Sequence, residues 1–477
     1  MNVEVSDRRL LDRRAVARRE EDLPPLLRRL ERVDLQRLQA GLTAAVAATC
    51  LVSIFAAQVF LTLAALAYVA RLARRQAPLE RLPLDAPLLA FSVWTLLSAA
   101  FSPDPLLSHE SAKKLVLFAL LYVSVDSLRE PRTRENILGA ALLGGVVLAA
   151  GAVLQYYFLG FDTVDNRPRS FLGHYMTASG LVMAVMVLAA ARLCFGGPIA
   201  RPSRQDLRAL SLTALALVVV SSLQAAGLFA LEAERLFVAG LAATAVAMAT
   251  RRGSWPGPAT GAVLAALALP LCAWALALSR TRNAWLGALV GLAIVAVMRA
   301  PRLLWAFPAA AALILVARPA PVMDRLTVTD ASSRDRYFMW QAGIDMIREK
   351  PVFGQGPRMV ERTYPSYRWP GAPNAAQPHL HNNALQIAAE RGLPCLAWWL
   401  WWVAAAIGDA WRESRRGGAP GRWGAAGALA VLSAVMAAGL FEYNFGDSEI
   451  LMFLLIVTAL PYALRAEAPP AALAGAS

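Results

Sequence analysis

The sequence has few histidines and few cysteines, four of each in 477 residues, and charged side chains make up only 17% of it. Cys50, Cys194, Cys272 and Cys395 sit in or beside apolar runs with no CxxC pair among them, which argues against a disulfide framework and against a zinc ribbon. So little charge beside 57% apolar residues and a mean hydropathy of +0.47 excludes an ordinary soluble domain and points to a polytopic membrane protein. The first 38 residues hold ten arginines and no apolar core leading to a small-residue cleavage site. They read as a basic cytoplasmic arm rather than a cleaved signal peptide. A net charge of +14 would suggest nucleic acid in a soluble protein. Here arginines in the short connections between apolar segments account for it, and no nucleic-acid partner is expected.

What the chain does have is a succession of apolar runs. The stretch 39–72 would extend about 51 Å as one helix, against roughly 30 Å of hydrocarbon. Arg37 precedes it and Arg71, Arg74 and Arg75 close it, so the spacing predicts a hairpin of two short helices that returns to its starting side. Further spans are expected near 84–101, 115–128, 137–158, 175–195, 209–230, 236–250, 260–279, 284–298, 303–317, 393–408, 424–441 and 449–464. The expected fold is an all-α polytopic membrane protein of about 12 to 14 transmembrane helices, with one large loop outside the membrane containing short amphipathic helices. Its parts would be the arm 1–38, a bundle 39–317, the loop 318–392, C-terminal helices 393–464 and a tail 465–477. With the N-terminus inside, "RLARRQAPLER", "REPRTRE", "RPSRQDLR" and "WRESRRGGAPGRW" all face the cytoplasm, and His109, His174, His379 and His381 all face outward.

The long loop carries the polar chemistry. "RDRYFMWQAGIDMIREK" sets Tyr337, Trp340 and Ile344 on one stripe and Phe338, Gln341 and Asp345 on another, which predicts an amphipathic helix on the membrane face, ended by "PVFGQGP". In "QPHLHNNALQIAAERG", Asn382 or Asn383 is a natural N-cap, so a helix N-terminus that favours anions sits beside His381. An H-x-H pair also raises a metal reading. The loop offers no third His or Cys near it, and the closest acids in sequence are Glu361 and Glu390, so neither a metal nor a cofactor is expected. In "LALSRTRNAWLG", Arg280 and Arg282 interrupt an apolar run at membrane depth, which is costly unless they meet water, phosphate or a carboxylate. Snorkelling onto lipid headgroups is the alternative for both.

The ordered set "SRTRNAWLG", "RDRYFMWQAGIDMIREKPVFGQGP" and "HLHNNALQIAAERGLPCLAWW", over about 276–402, resembles the signature of the bacterial O-antigen ligase and polymerase family. Upstream, "RPRSFLGHYMTASG" is similar to that family's earlier outside loop. The resemblance implies a metal-independent, inverting membrane glycosyltransferase of the GT-C type in the bacterial inner membrane, with its active site facing the periplasm. It would move a glycan from undecaprenyl diphosphate to a sugar hydroxyl, on lipid A-core in the ligases and on a growing chain in the polymerases. By motif position His381 matches the family's base, and Arg280 and Arg336 match the arginines that hold the diphosphate. Substrate contacts would extend to Arg282, Arg334, His379, Asn382, Arg169 and His174. A multi-span lipid or glycan transporter is the reading of another class. That class concentrates ionisable residues near the bilayer midplane, whereas the spans here are almost uncharged.

Overall fold

The computed structural model describes residues 34–197, 258–317, 331–416 and 419–465. Residues 1–33 of the basic arm, the segments expected near 209–230 and 236–250, the first part of the loop at 318–330, and the tail from 466 lie outside the described residues. Regular structure among the described residues is helical throughout. In chain order the helices are α1 (Leu35–Thr49), α2 (Ile54–Ala73), α3 (Asp85–Ala100), α4 (Pro105–Ala112), α5 (Ala119–Ser127), α6 (Pro131–Phe158), α7 (Tyr175–Phe195) and α8 (Pro258–Leu278). After them come α9 (Arg282–Arg299), α10 (Ala306–Ala317), α11 (Ala331–Glu349), α12 (Val360–Tyr367), α13 (Asn383–Arg416), α14 (Ala419–Ala438) and α15 (Ser448–Arg465).

Seven of these, α2, α6, α7, α8, α9, α13 and α15, are long and apolar enough to cross a membrane, and α3 and most of α14 are shorter apolar helices. The chain is therefore a multi-pass membrane protein. The apolar run 39–72 is broken in two as expected. Ser53 makes the break by capping α2, its hydroxyl accepting from the Ala56 amide at 3.4 Å.

Small residues let the helices approach closely. A Cβ on Gly144 of α6 would lie 2.6 Å from the Ala48 carbonyl oxygen of α1, and one on Gly287 of α9 would lie 2.6 Å from that of Ala434 in α14. Gly287 also meets Ala438, while Gly291, one turn further along α9, meets Ala434, so the two helices run antiparallel.

Polar side chains sort to the two ends of the bundle. At one end Arg71 donates to Gln39 at 2.7 Å and pairs with Asp126, Arg192 approaches Glu135 at 3.6 Å, and Asp409 accepts from Arg465 at 2.8 Å and Tyr462 at 2.7 Å. Each is a buried charge given a partner, which is the condition for tolerating it in a low-dielectric interior. At the opposite end lie the start of α7, the α8–α9 turn, the histidine segment and the α14–α15 connection.

The helix α11 forms where its periodicity placed it, its buried stripe is Met339, Ala342 and Met346, packed with Tyr364 and Leu380, and Tyr337 is exposed. One expectation needs correction here. The expected span 393–408 is the second part of a longer helix, α13, that starts at Asn383 and breaks at Gly392 (φ 81°, ψ 169°). Pro394 has no amide to continue the ladder, and the Leu393 amide instead donates to the Pro351 carbonyl at 2.8 Å.

"PVFGQGP" wraps the last turn before the break. The Gln355 and Gly356 amides donate to the Ala389 and Glu390 carbonyls, each at 2.8 Å, and the Ser98 hydroxyl of α3 reaches the Phe353 carbonyl at 2.6 Å. That clamp fixes the short helical segment 383–391, and with it the histidines just before it.

Candidate active site

In "HLHNN" the middle residue points inward. Leu380 is fully buried against Gly343 of α11, its amide donates to Gln386 Oε1 at 2.7 Å, and Trp340 Nε1 donates to its carbonyl at 3.1 Å. Side chains of an extended segment alternate, so His379 and His381 emerge together on the other side. Their ring centroids are 4.2 Å apart. His381 takes φ 49°, a left-handed conformation that costs a non-glycine residue about 1 kcal/mol or more. It forms the corner between the extended segment and α13. Asn382, rather than Asn383, is the cap: its Oδ1 accepts from the Leu385 amide at 2.9 Å.

The two asparagines also hold the α14–α15 connection under the histidines. Asn382 Nδ2 donates to the Leu440 carbonyl at 2.9 Å, the Asn383 amide to the Gly439 carbonyl at 2.8 Å, and Asn383 Nδ2 to Asn444 Oδ1 at 2.7 Å. Gly439 is required by this approach, since a Cβ there would lie 2.1 Å from Asn383 Nδ2. The connection delivers Glu442. His381 Nδ1 donates to Glu442 Oε2 at 2.8 Å, His379 Nε2 stands 3.7 Å from Oε1, and the Tyr443 amide donates to Oε1 at 3.1 Å.

Burial alone would raise the Glu442 pKa, but the bond from His381 and the proximity of both imidazoles outweigh it and hold the carboxyl below its ordinary range. An ionised Glu442 fixes the proton of neutral His381 on Nδ1 and leaves Nε2 with a free lone pair.

His379 differs from its neighbour. Burial pushes its pKa down to about 4, against the opposing pull of Glu442, and the nearby His381 and Arg336 depress it further. The folded protein therefore keeps this imidazole neutral in a range where the unfolded chain binds a proton. Stability from this group is fully present above pH ~6.5 and is lost as the pH falls toward 4, by up to about 1.4 kcal/mol per unit. Thermal unfolding in detergent should show the wild type losing more stability than His379→Gln between pH 7 and pH 5. Equal losses would remove His379 as the cause.

The arginines gather at the same end of the bundle. Arg280 occupies the sharp α8–α9 turn with φ 53°, where Ser279 donates to the Leu276 carbonyl at 2.7 Å and Trp285 Nε1 to the same carbonyl at 2.8 Å. The antiparallel packing of α9 on α14 sets this turn at the level of Gly439 and Glu442. Arg280 is buried, unlike a snorkelling side chain with its head in the lipid interface, and Arg282 is half-buried. Arg336, half-buried in the first part of α11, is near enough to His379 to affect its basicity.

Arg334 is exposed above the Phe338 ring, and Arg169 is exposed above Phe161. His174 caps α7, its Nδ1 accepting from the Met176 amide at 3.3 Å. Partial burial lowers its pKa, Glu442 opposes this, and His381, Arg167 and Arg169 lower it again, so His174 borders the same electrostatic cluster.

Sequence reasoning missed Glu442. The acids expected nearest the histidines are engaged elsewhere: Glu361 stands 3.7 Å from Arg358, and Glu390 accepts from Arg391 and Gln386, each at 2.8 Å, and from the Arg358 amide at 2.9 Å. The available signal was "FEYNFGD", a polar run between two apolar helices. Glu442 also corrects the expectation that the H-x-H pair lacks a third metal donor. His379, His381 and Glu442 offer ligand atoms all within 4.8 Å of one another. A cation there would have to displace the 2.8 Å bond that orients His381.

The cluster combines an imidazole aligned by a buried carboxylate with guanidinium groups at the same level. The first can remove a proton from a hydroxyl, and the second can stabilise a leaving anion. The model of a family described as O-antigen ligase matches residues 265–400, which include Arg280, Arg336, His379 and His381. No curated protein matches the chain.

Proposed function

We propose that this chain, which residues 265–400 identify as a member of the O-antigen ligase/polymerase family, transfers a glycan from undecaprenyl diphosphate to a sugar hydroxyl at the histidine-bearing end of its bundle. In the proposed step, Nε2 of His381 takes the proton of the acceptor hydroxyl while its oxygen attacks the anomeric carbon. The bond from that carbon to the diphosphate oxygen breaks on the opposite face, so the configuration inverts. The pair of electrons leaves with undecaprenyl diphosphate, whose growing charge Arg280 and Arg336 neutralise through forked, charge-assisted hydrogen bonds worth roughly 1.5–3 kcal/mol each. The observation that carries this reading is the 2.8 Å bond from His381 Nδ1 to buried Glu442. It gives a base with one fixed tautomer and one open nitrogen.

Arginine neutralisation makes the reaction metal-independent. The reading is tested in proteoliposomes with an undecaprenyl-diphosphate-linked glycan and, in separate arms, lipid A-core or a second lipid-linked glycan as acceptor. Transfer should persist in excess EDTA, and Arg280→Lys should remain impaired because an ammonium cannot reproduce the planar fork. Loss of transfer in EDTA with recovery on adding Zn²⁺ or Mg²⁺ would overturn the metal-free mechanism. The arm that supports transfer separates a ligase, which uses lipid A-core, from a polymerase.

The proposed orientation puts the histidines in the periplasm and the arginine-rich end in the cytoplasm, across about 12 to 14 spans. A cysteine at Ala375 should be labelled from outside spheroplasts and one at Arg416 should be shielded. The reverse pattern would sink the orientation. The transporter reading is disfavoured because the ion pairs among the described residues stand at the ends of the bundle rather than midway along it.

A further inference from the structure

His379, His381 and Glu442 each offer one ligand atom, and the three atoms lie within 4.8 Å of one another. His379 Nε2 is 3.7 Å from Glu442 Oε1, and His381 Nδ1 is 2.8 Å from Oε2. Two donors bound to one tetrahedral zinc ion stand about 3.3 Å apart, since each bond to the metal is roughly 2.0–2.2 Å long. The three atoms therefore share an ion after drawing together by no more than about 1.5 Å, a shift that small side-chain rotations supply. The fold holds them in place for it. Leu380, buried between the histidines, turns both imidazoles to one side, and the Asn383–Asn444 bond anchors the connection that carries Glu442. An ion can enter from solvent, because 25% of the His379 side chain and 16% of the His381 side chain are exposed, against 6% for Glu442.

Both imidazoles can present the nitrogen required. His379 Nε2 is beyond hydrogen-bond length of Glu442, and its Nδ1 has no hydrogen-bond partner, so no bond fixes its proton on Nε2. His381 differs, since its Nδ1 carries the proton donated to Glu442. A metal takes that nitrogen only if the proton moves to Nε2. No proton is lost in the exchange, and Glu442, released from its hydrogen bond, becomes a ligand. Each ring then holds its single proton on the nitrogen away from the ion. Two imidazoles and a carboxylate suit Zn²⁺, with water in the fourth position, whereas Mg²⁺ and Ca²⁺ take oxygen ligands.

We propose that His379, His381 and Glu442 form an inhibitory zinc site, in which the ion stops transfer by placing the His381 proton on Nε2, the nitrogen that must be free to accept the hydroxyl proton. Its effect on activity rests on the transfer reading above, while the site itself does not. Zinc therefore opposes a reaction that proceeds without metal.

The full chain, stripped of metal with EDTA and desalted into detergent, is titrated with zinc chloride against a fluorescent zinc indicator, and transfer is followed in proteoliposomes with the acceptor arm that supports it. The wild type is expected to bind one Zn²⁺ that His379→Gln and Glu442→Gln each weaken by about ten-fold or more. His109→Gln, at an exposed histidine on α4 outside the cluster, should leave that binding unchanged. Transfer should fall over the zinc range that fills the site, recover in EDTA and be insensitive to Mg²⁺, and the residual transfer of His379→Gln should need about ten-fold more zinc to stop. Zinc absorption-edge spectroscopy of the wild type reads the ligand shell without any variant. Two imidazoles with oxygen are expected, and a shell containing sulfur, or oxygen alone, overturns the site. Equal zinc affinity in wild type and folded His379→Gln also overturns it and leaves the transfer reading standing. Zinc bound at the cluster with transfer unchanged or raised overturns the inhibitory role. If no acceptor arm supports transfer while zinc binds with the expected losses in the variants, the metal site stands and the transfer reading falls, taking the inhibition with it.

Discussion

His381→Ala is expected to reduce glycan transfer by about 10²–10⁴-fold while the lipid-linked donor remains bound, the range contributed by one positioned general base. Donor binding survives because the diphosphate is assigned to Arg280 and Arg336, which the substitution does not touch. The measurement is product formation alongside donor retention for each membrane-inserted variant, and a fully active His381→Ala protein would remove the base from the mechanism. Glu442→Gln should lose rate by a smaller factor and shift the pH profile. A neutral amide can accept from the His381 N–H but does not stabilise the imidazolium formed as the proton arrives. His379→Ala should retain partial activity, since its imidazole is already held neutral and the proposed base is His381.

Gly392→Ala is expected to destabilise the protein by on the order of 3–5 kcal/mol, among the largest effects of any single substitution. Two causes act together. Gly392 has φ 81° and ψ 169°, a region essentially closed to residues with a Cβ. A Cβ would also fall 1.9 Å from the Val352 carbonyl oxygen and 2.4 Å from its carbon, and backbone cannot swing aside as a side chain can. Relief requires the 351–356 loop to lift from the 383–391 turn, which loosens the segment that aims both histidines. Gly408→Ala, further along the same helix, is the control. The nearest atom to its Cβ would be the flexible end of Arg412 at 3.9 Å, and alanine is the better helix former, so stability there should hold or rise. Thermal unfolding of both variants in one detergent gives the comparison, and equal midpoints would refute the backbone argument.

The helices were legible because their signals are local. Apolar length, flanking arginines and the asparagine cap offered by Asn382 or Asn383 all act within a few positions. The family motifs were legible for a related reason, being short and ordered. Glu442 was not, because it lies 61 positions from His381 along the chain and no periodicity links them. The asparagine bonds to the α14–α15 connection, with the packing of Trp399 and Trp402 on Phe445, bring the two together. The buried face of α11 was not legible, because Met339, Ala342 and Met346 answer to Tyr364 and Leu380, which are remote in sequence. The glycines of "PVFGQGP" read as punctuation. Their closer purpose appears only when the partners are in place: Gly354 lets the loop press on the Glu390 backbone, and Gly356 makes room for the Ser102 and Ser108 side chains.

The asparagine bonds that bind the histidine segment to the α14–α15 connection also set an order of events during synthesis. His379, His381 and the arginines leave the ribosome before Glu442, because synthesis runs from the N- to the C-terminus. Until the helical hairpin carrying Glu442 has entered the bilayer, the imidazoles lack their carboxylate and the extended segment lacks its anchor at Gly439 and Asn444. The proposed base is thus aligned only on completion of the fold, and a nascent or truncated chain ending at residue 400 would still lack the carboxylate that orients it.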